Sequence, residues 1–211
     1  YSWTEMDIDA ATQKLTVTTY GIDAYSEAEL LADPQAVLDL TPRIVSQFAV
    51  APDLTVAPPT SLDFEGPGLT AGTVVSDQFS GLTITTDGLA AMLFDSANPT
   101  GGDDDLGSDT AGLVLILSED GDRSNPDDNA GGGTLEFTWD ELVDIASVGF
   151  LDTEEAGSID LYGADSAFLG SLDIVMTNNG GSGLVEIDQT DISKMVVNLG
   201  GSGAITAVNL V

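Results

Sequence analysis

The sequence predicts an all-β fold, a jelly-roll-like antiparallel β-sandwich preceded by a small N-terminal segment of strands and short helices. Hydrophobic residues make up 42% of the 211 residues, which is enough for a sizeable core. Apolar and polar residues alternate in several stretches, as at Leu135, Phe137 and Trp139. Gly, Asn and Asp interrupt these stretches at intervals of roughly 8–12 residues, a spacing typical of β-sandwiches.

The N-terminal segment, residues 1–50, mixes strands with short helical turns. Alternation of Leu and Val with Thr predicts a strand over 14–20, and a second strand is predicted over 44–50. Ser26 and Glu29 have the spacing of a capping box, and Asp33-Pro34 repeats the helix start signal. We therefore expect two helical turns, over 26–32 and 34–40.

Residues 51–60 are rich in Pro and small side chains, which predicts a linker between this segment and a β-sandwich domain over 61–211. The Asn179-Gly180 and Gly200-Gly201 pairs suit tight turns. Strands are predicted at 61–65, 73–79, 81–86, 89–94, 112–118, 134–140, 145–151, 158–163, 167–176, 183–188, 192–199 and 203–211.

The charge is extreme, because four basic residues face 36 acidic ones and the net charge is −32. Such a domain repels nucleic acid and anionic membrane surfaces, so we expect neither as a partner. No apolar run is long enough to span a membrane, so no membrane insertion is expected. A salty habitat is an alternative explanation of the acid, but it predicts an even spread, whereas the acid here is clustered.

The chain contains no Cys and no His. Disulfides, thiolate nucleophiles and Ser–His–Asp catalysis are therefore excluded, together with the usual zinc ligand sets. Glu154 and Glu155 are adjacent, so in a strand they point to opposite faces and do not form a glycosidase pair. We predict that the chain is not an enzyme.

The most informative feature is a pair of loops rich in Asp, Asn and Gly: loop A, residues 95–109, and loop B, residues 118–133. Short carboxylate arms, neutral amide oxygens and flexible backbone together suit Ca²⁺, which takes six to eight oxygen ligands. A five-residue apolar strand, LVLIL, separates the loops by roughly 17 Å. One shared site requires the chain to fold back, and two separate sites are equally permitted.

A third acidic run begins at Asp152, where a predicted strand ends, and it is a candidate to complete a calcium site. Neither the EF-hand pattern nor the glycine-rich nonapeptide repeat is present. Mobile, solvated loops without an ion are the alternative. The predicted Ca²⁺ ligands are Asp95, Asp103, Asp105, Glu119, Asp120, Asp122, Asp127, Asp128, Asn129, Asp152 and Glu154.

Carbohydrate binding on a β-sandwich generally uses exposed aromatic side chains, and this chain has only two Trp and four Tyr. Trp139 ends an alternating strand, which favours a place in the core. Tyr162 is a candidate for exposure. Calcium-assisted sugar binding stays open, because a bound ion can accept two sugar hydroxyls.

The stretch LDFEG…GTVVSDQFSGLTIT…AMLFDSANPTGGDDDLG…VLILSEDGD…NPDDNAGGGTLEFTW…VGFLDTEEAG…IDLYGAD resembles a β-sandwich module of secreted or surface-attached proteins from marine bacteria and cyanobacteria. The resemblance covers 61–211, and AMLFDSANPTGGDDDLG is its most specific motif. It implies a jelly-roll-like accessory module of a larger extracellular protein, often near a cell-surface sorting tail.

Residues 1–50 resemble the tail that follows the catalytic domain of secreted bacterial metallophosphatases of the alkaline phosphatase type, over TEMDIDAATQKLTVTTYGIDAYSEAELLADPQAVLDLTPRIVSQFAV. The metal-binding residues of that catalytic domain have no counterpart here. Because the chain starts at Tyr1 without Met, we expect it to be part of a larger protein.

These observations predict a secreted or cell-surface, non-catalytic, calcium-binding β-sandwich that serves as an accessory, adhesion or surface-attachment module. One alternative is a carbohydrate-binding module that tethers a secreted enzyme to polysaccharide. Another is a self-assembling surface or filament subunit, in which the strand at 13–20 pairs with the sheet edge of a neighbouring copy.

Overall fold

The computed structural model describes residues 2–8, 14–22, 24, 26–38, 41–50 and 61–211. The chain forms two compact units, Tyr1–Val56 and Ala57–Val211. The linker predicted at 51–60 lies outside the described residues, as do the last two residues of the second predicted helix.

In its described residues, the first unit is a three-stranded antiparallel sheet with two short helices. Its strands are β1 (Ser2–Ile8), β2 (Leu15–Gly21) and β3 (Arg43–Val50), in the order β1-β2-β3. The helices α1 (Glu27–Ala32) and α2 (Pro34–Leu38) lie between β2 and β3 along the chain. The capping box of α1 is confirmed. Strand β1 is not among the predicted elements, because acidic residues interrupt its apolar positions.

Self-assembly by strand addition through residues 13–20 requires that segment to offer a free sheet edge to a neighbouring copy. Within the described residues, β2 pairs with β1 along one edge and with β3 along the other. Its backbone donors and acceptors are therefore already used, and it has no edge left to offer a neighbouring copy.

The second unit consists mainly of strands and loops, as predicted, and within 61–211 its only helical pieces are two short 3₁₀ turns at 104–106 and 164–166. The strands are β4 (Ser61–Leu62), β5 (Leu82–Thr86), β6 (Ala90–Asp95), β7 (Leu113–Ser118), β8 (Gly133–Leu151), β9 (Ser158–Tyr162), β10 (Phe168–Asp173), β11 (Ser182–Leu199) and β12 (Ala204–Leu210). The path through the sheet is β10-β9-β11-β8-β12-β7-β6, with β4 added beside β12 and β5 beside β8.

Two of these strands are much longer than predicted. The segments 134–140 and 145–151 form the single strand β8, and 183–188 and 192–199 form β11. Register shifts in the β8–β11 ladder carry the pairing across the polar residues that the sequence pattern reads as breaks. The predicted strand 73–79 is reduced to one isolated bridge, between Val74 and Met92.

Strand β8 contributes to both layers of the sandwich. Its first half pairs with β5 and its second half with β12, while β11 follows it along both halves. Phe137 from the first half and Phe150 from the second are fully buried in one hydrophobic cluster. The antiparallel β-sandwich is therefore confirmed, and one bent, continuous sheet supplies both of its layers.

We expect Phe137→Ala to lower the free energy of unfolding by about 3–5 kcal/mol, because a fully buried ring leaves a cavity between the layers. Urea denaturation measures the loss. The neighbouring substitution Thr138→Ala is the control, because Thr138 is exposed and is expected to change stability by about 0.5 kcal/mol or less. Equal losses for the two variants would contradict the assignment of this core.

Candidate functional site

Loops A and B fold back and meet, which the sequence leaves undecided. The backbone N–H of Gly101 in loop A donates to Asn125 Oδ1 in loop B over 3.1 Å. The backbone N–H of Asp128 in loop B donates to Asp103 Oδ2 in loop A over 2.7 Å. The short strand between the loops therefore does not keep them apart.

Two carboxylates are buried where these loops meet the end of β8. Asp128 is 6% exposed and Asp152 is 1% exposed. Asp128 Oδ2 accepts from the backbone N–H of Gly203 and lies 2.7 Å from Ser202 Oγ. Asp152 Oδ2 lies 3.1 Å from the same Ser202 Oγ, and its Oδ1 accepts from Gly180 N. Two carboxylates thus converge on one hydroxyl, which has a single hydrogen to donate.

Two further carboxylates from loop A lie beside this pair. Asp103 is joined to the backbone of Asp128, and Asp105 Oδ2 accepts from Asn179 Nδ2 over 3.0 Å. We call Asp103, Asp105, Asp128 and Asp152 the acidic pole. Its members come from loop A, loop B and the end of β8, so the fold has gathered them from distant parts of the sequence.

Two carboxyl groups of the acidic pole, those of Asp103 and Asp128, have raised pKa values. Burial raises the pKa of Asp103 to about 6; the hydrogen bond from the Asp128 backbone opposes this shift, and neighbouring carboxylates add to it. Burial also raises the pKa of Asp128, while its hydrogen bonds from Gly203 and Ser202 act in the opposite direction. The cause in both cases is the cost of holding negative charge away from water.

No basic side chain within 61–211 forms an ion pair with the acidic pole. That range holds two basic residues. Arg123 donates its Nε–H to the backbone carbonyl of Gly72, and Lys194 pairs with Glu136 over 3.2 Å. Within 61–211, the carboxylates of the acidic pole are therefore contacted by neutral hydrogen-bond donors and by no basic side chain.

A second group of predicted ligands lies in loop B. Asp127 Oδ1 is buried and has no hydrogen-bond partner among the described residues. Desolvation raises the pKa of Asp127, and the charges of Asp120 and Glu119 add to the rise. Asp122 instead accepts from the backbone and hydroxyl of Ser124, which lowers its pKa and ties it to its own turn.

The remaining predicted ligands belong to local turns or to the surface. Asp95 accepts from the backbone of Ala97, and Asn129 accepts from the backbone of Gly131. Glu154 is exposed. The structure does not bring these three side chains into the acidic pole.

The donors that complete the acidic pole are not among the predicted residues. Asn179, Gly180, Ser202 and Gly203 lie in two turns that the sequence marks only as tight-turn sites. Ser202 is separated from Asp128 by 74 residues along the chain. A local sequence pattern cannot reveal a contact at that separation.

The acidic pole carries the hard oxygen donors that Ca²⁺ prefers. In the part of the chain that the structure describes, however, no three His, Cys, Asp or Glu side chains are arranged as a ready-made metal centre. The carboxylates are instead directed at backbone N–H groups and at Ser202. Asp128 and Asp152 form a buried pair of carboxylates without a basic partner within 61–211, and the calcium site stays a prediction.

The aromatic residues divide between core and surface. Trp139 is half-buried against the core and stacks on Phe137 with ring centroids 6.2 Å apart, as predicted. A pocket of about 180 Å³ opens beside Trp139 and Phe79. Tyr162 is half-buried and meets Phe168 edge to face at 5.5 Å, while Phe168 is 61% exposed.

No protein-family model matches the chain, and no curated protein matches it either. The solved structures similar to it include a His 62 mutant of the lectin-binding domain of Lectinolysin complexed with Lewis b, at 7% identity and a TM-score of 0.34, covering 46% of this chain and 70% of that one. A Streptococcus pneumoniae fucose-binding module, SpX-3, is 9% identical with a TM-score of 0.31, covering 46% and 71%.

A third similar structure, CpGH89CBM32-6 produced by Clostridium perfringens, is 9% identical with a TM-score of 0.35 and covers 64% of this chain and 96% of that one. Likeness at this level carries no argument about this chain. The β-sandwich that the resemblance of 61–211 implies is confirmed by the strand pairing of the chain itself. The marine module and the metallophosphatase tail stay predictions.

We expect Gly101→Ala to separate loops A and B. Gly101 has φ +70°, and a Cβ there overlaps the Cβ of Asp127. Gly121→Ala is a matched control, because Gly121 has φ +77° but faces open space. Because both variants carry the same kind of backbone strain, the difference between their free energies of unfolding reports the loop contact. We expect Gly101→Ala to be less stable than Gly121→Ala by roughly 1–3 kcal/mol. Equal unfolding free energies would show that this contact contributes nothing.

In the absence of divalent cations, we expect the protein to lose stability as the pH rises from about 4 to above 6. A carboxyl whose pKa is raised by folding stabilises the fold while it is protonated, and this contribution disappears as the pH passes the folded value of about 6 for Asp103. Thermal melts in EDTA across this range measure the slope. Asp103→Asn is expected to reduce the slope, and an unchanged slope would contradict the assignment to this group.

Proposed function

We propose that residues 61–211 form a non-catalytic, calcium-stabilised β-sandwich that serves as an accessory, adhesion or surface-attachment module of an extracellular protein. The observation that carries this proposal is the buried pair Asp128 and Asp152, whose carboxylates converge on Ser202 without a basic side chain. Two ionised carboxylates this close repel strongly where water is excluded. A divalent cation bound between the two carboxylates removes this repulsion.

The proposed ion stabilises the fold by joining segments that are distant in sequence. Asp103 and Asp105 bring loop A to the site, Asp128 brings loop B, and Asp152 brings the end of β8. An ion that binds the folded site and not the unfolded chain adds its binding free energy directly to stability. In a chain without disulfides this contribution takes the place of covalent cross-links.

The residue types present and the hydrogen bonds of the carboxylates support a non-catalytic role. The sequence has no His and no Cys. The acidic groups accept hydrogen bonds from their own turns and from neighbouring loops, which suits holding an ion more than transferring a proton.

None of the helices in the described ranges combines the length and apolar character that a membrane crossing requires. The proposed location, secreted or at a cell surface, rests on calcium dependence, since extracellular modules bind Ca²⁺ at 10⁻⁴–10⁻³ M.

Carbohydrate binding is the second candidate function. Phe168 exposes 61% of its surface beside Tyr162, within a sandwich whose other phenylalanines in 61–211 are largely buried or half-buried. An exposed aromatic ring next to polar side chains is the arrangement on which a sugar ring stacks. This role is compatible with a calcium-stabilised module.

We expect calcium to raise the melting temperature by about 5–10 °C over EDTA, at constant ionic strength and at a Ca²⁺ concentration about 100 times the dissociation constant. Asp152→Asn is expected to remove most of this difference, because it deletes one of the two buried charges. Differential scanning calorimetry in EDTA, Ca²⁺ and Mg²⁺ makes the comparison.

Asp104→Asn is the matched control, since Asp104 lies in loop A but is exposed. It is expected to keep the calcium response of the original chain. Identical melts in EDTA and in Ca²⁺ would rule out the proposed role of calcium. A full response in Asp152→Asn would place the ion elsewhere.

A further inference from the structure

The outer face of one layer of the sandwich carries an ordered array of polar and aromatic side chains. Strand alternation turns Leu161, Met195 and Phe137 into the core, so their chain neighbours point outward. The strand registers align these neighbours in three rows across β10, β9, β11 and β8: Phe168, Tyr162, Lys194 and Thr138; Ser171, Asp160, Val196 and Glu136; Asp173, Ser158, Asn198 and Thr134.

We infer that this polar sheet face, formed by the three rows, binds a neutral oligosaccharide or polysaccharide chain. The inference rests on the carbohydrate-binding candidate above and assigns its site and ligand class. With β5 beside β8, the face crosses five strands, which is roughly 19 Å and leaves room for a short run of sugar rings.

The aromatic end of the face supplies a stacking surface. Phe168 is mostly exposed and is held edge to face by Tyr162 at 5.5 Å. Lys194 Nζ lies 4.6 Å from the centroid of the Tyr162 ring, which is a second contact that holds this ring. Phe168 is therefore the ring that remains available to the apolar face of a sugar.

The polar part of the face is ordered by its own hydrogen bonds. Lys194 Nζ donates to Glu136 over 3.2 Å. Asn198 Nδ2 lies 3.0 Å from Ser158 Oγ and 3.3 Å from Asp160 Oδ2. Groups that are already positioned lose little conformational freedom when a ligand arrives, which favours binding.

The charges of the face select a neutral ligand. Lys194 is one of only two basic residues in 61–211, and Glu136 already balances it. Asp160 and Asp173 leave the face negative, so chains bearing carboxylate or sulfate groups are repelled. Neutral sugar hydroxyls both donate and accept hydrogen bonds, which matches the mixture of carboxylate, amide and ammonium groups on the face.

Affinity electrophoresis in Ca²⁺ tests the inference, with a panel of soluble neutral polysaccharides (a β-glucan, a xylan, a mannan and a galactan) and alginate as an anionic probe. We expect retention by at least one neutral polysaccharide. Phe168→Ala and Asn198→Ala are expected to weaken retention tenfold or more while the melting temperature stays close to that of the original chain.

Leu142→Ala is the control, because Leu142 is a large exposed apolar residue outside the polar sheet face, and its retention is expected to be unchanged. If a neutral polysaccharide retains the original chain and retains Phe168→Ala and Asn198→Ala equally well, the assignment of the site to the polar sheet face is wrong, while carbohydrate binding itself stands. Stronger retention by alginate than by every neutral polysaccharide contradicts the inference that the ligand is neutral. If no polysaccharide is bound in Ca²⁺, both the face and the carbohydrate-binding candidate are overturned.

Discussion

Two buried carboxylates that share one hydroxyl are the interaction on which the rest of this domain depends. Asp128 and Asp152 are almost fully removed from water, and no basic side chain within 61–211 pairs with them. Each is held by backbone N–H groups from turns far away in sequence. These hydrogen bonds join the loops, the end of β8 and the two turns.

The long strands β8 and β11 carry the segments that form this site. They pair along their whole length, from Gly133 with Leu199 to Leu151 with Ser182. Loop B leads into the first residue of β8 and Asp152 follows its last residue, and the contacts of Ser202 with Asp128 and Asp152 join these two ends of the strand. The two proposed sites are separate, because the acidic pole gathers beyond the strand ends while the polar sheet face lies on the outside of one layer.

The residue types and the loops of the candidate site could be predicted from the sequence, but the contacts between them could not. Local composition identifies loops A and B, and carboxylates with Asn and Gly suit calcium wherever they occur. Composition does not distinguish Asp128, which is buried, from Asp122, which caps its own turn. That difference comes from which backbone N–H groups lie nearby, and those of Gly180 and Gly203 arrive from distant parts of the chain.

The sequence by itself determined the fold class, because alternation with period two and frequent turn residues are local properties that any sandwich arrangement must satisfy. It also determined the excluded chemistry, since a chain without His or Cys lacks those functional groups in every conformation. Only the tertiary structure decided that loops A and B meet and that β2 is a central strand. It also placed Phe168, Lys194 and Asn198 on one face. Contacts between distant residues depend on strand register and sheet bending, which local patterns do not encode.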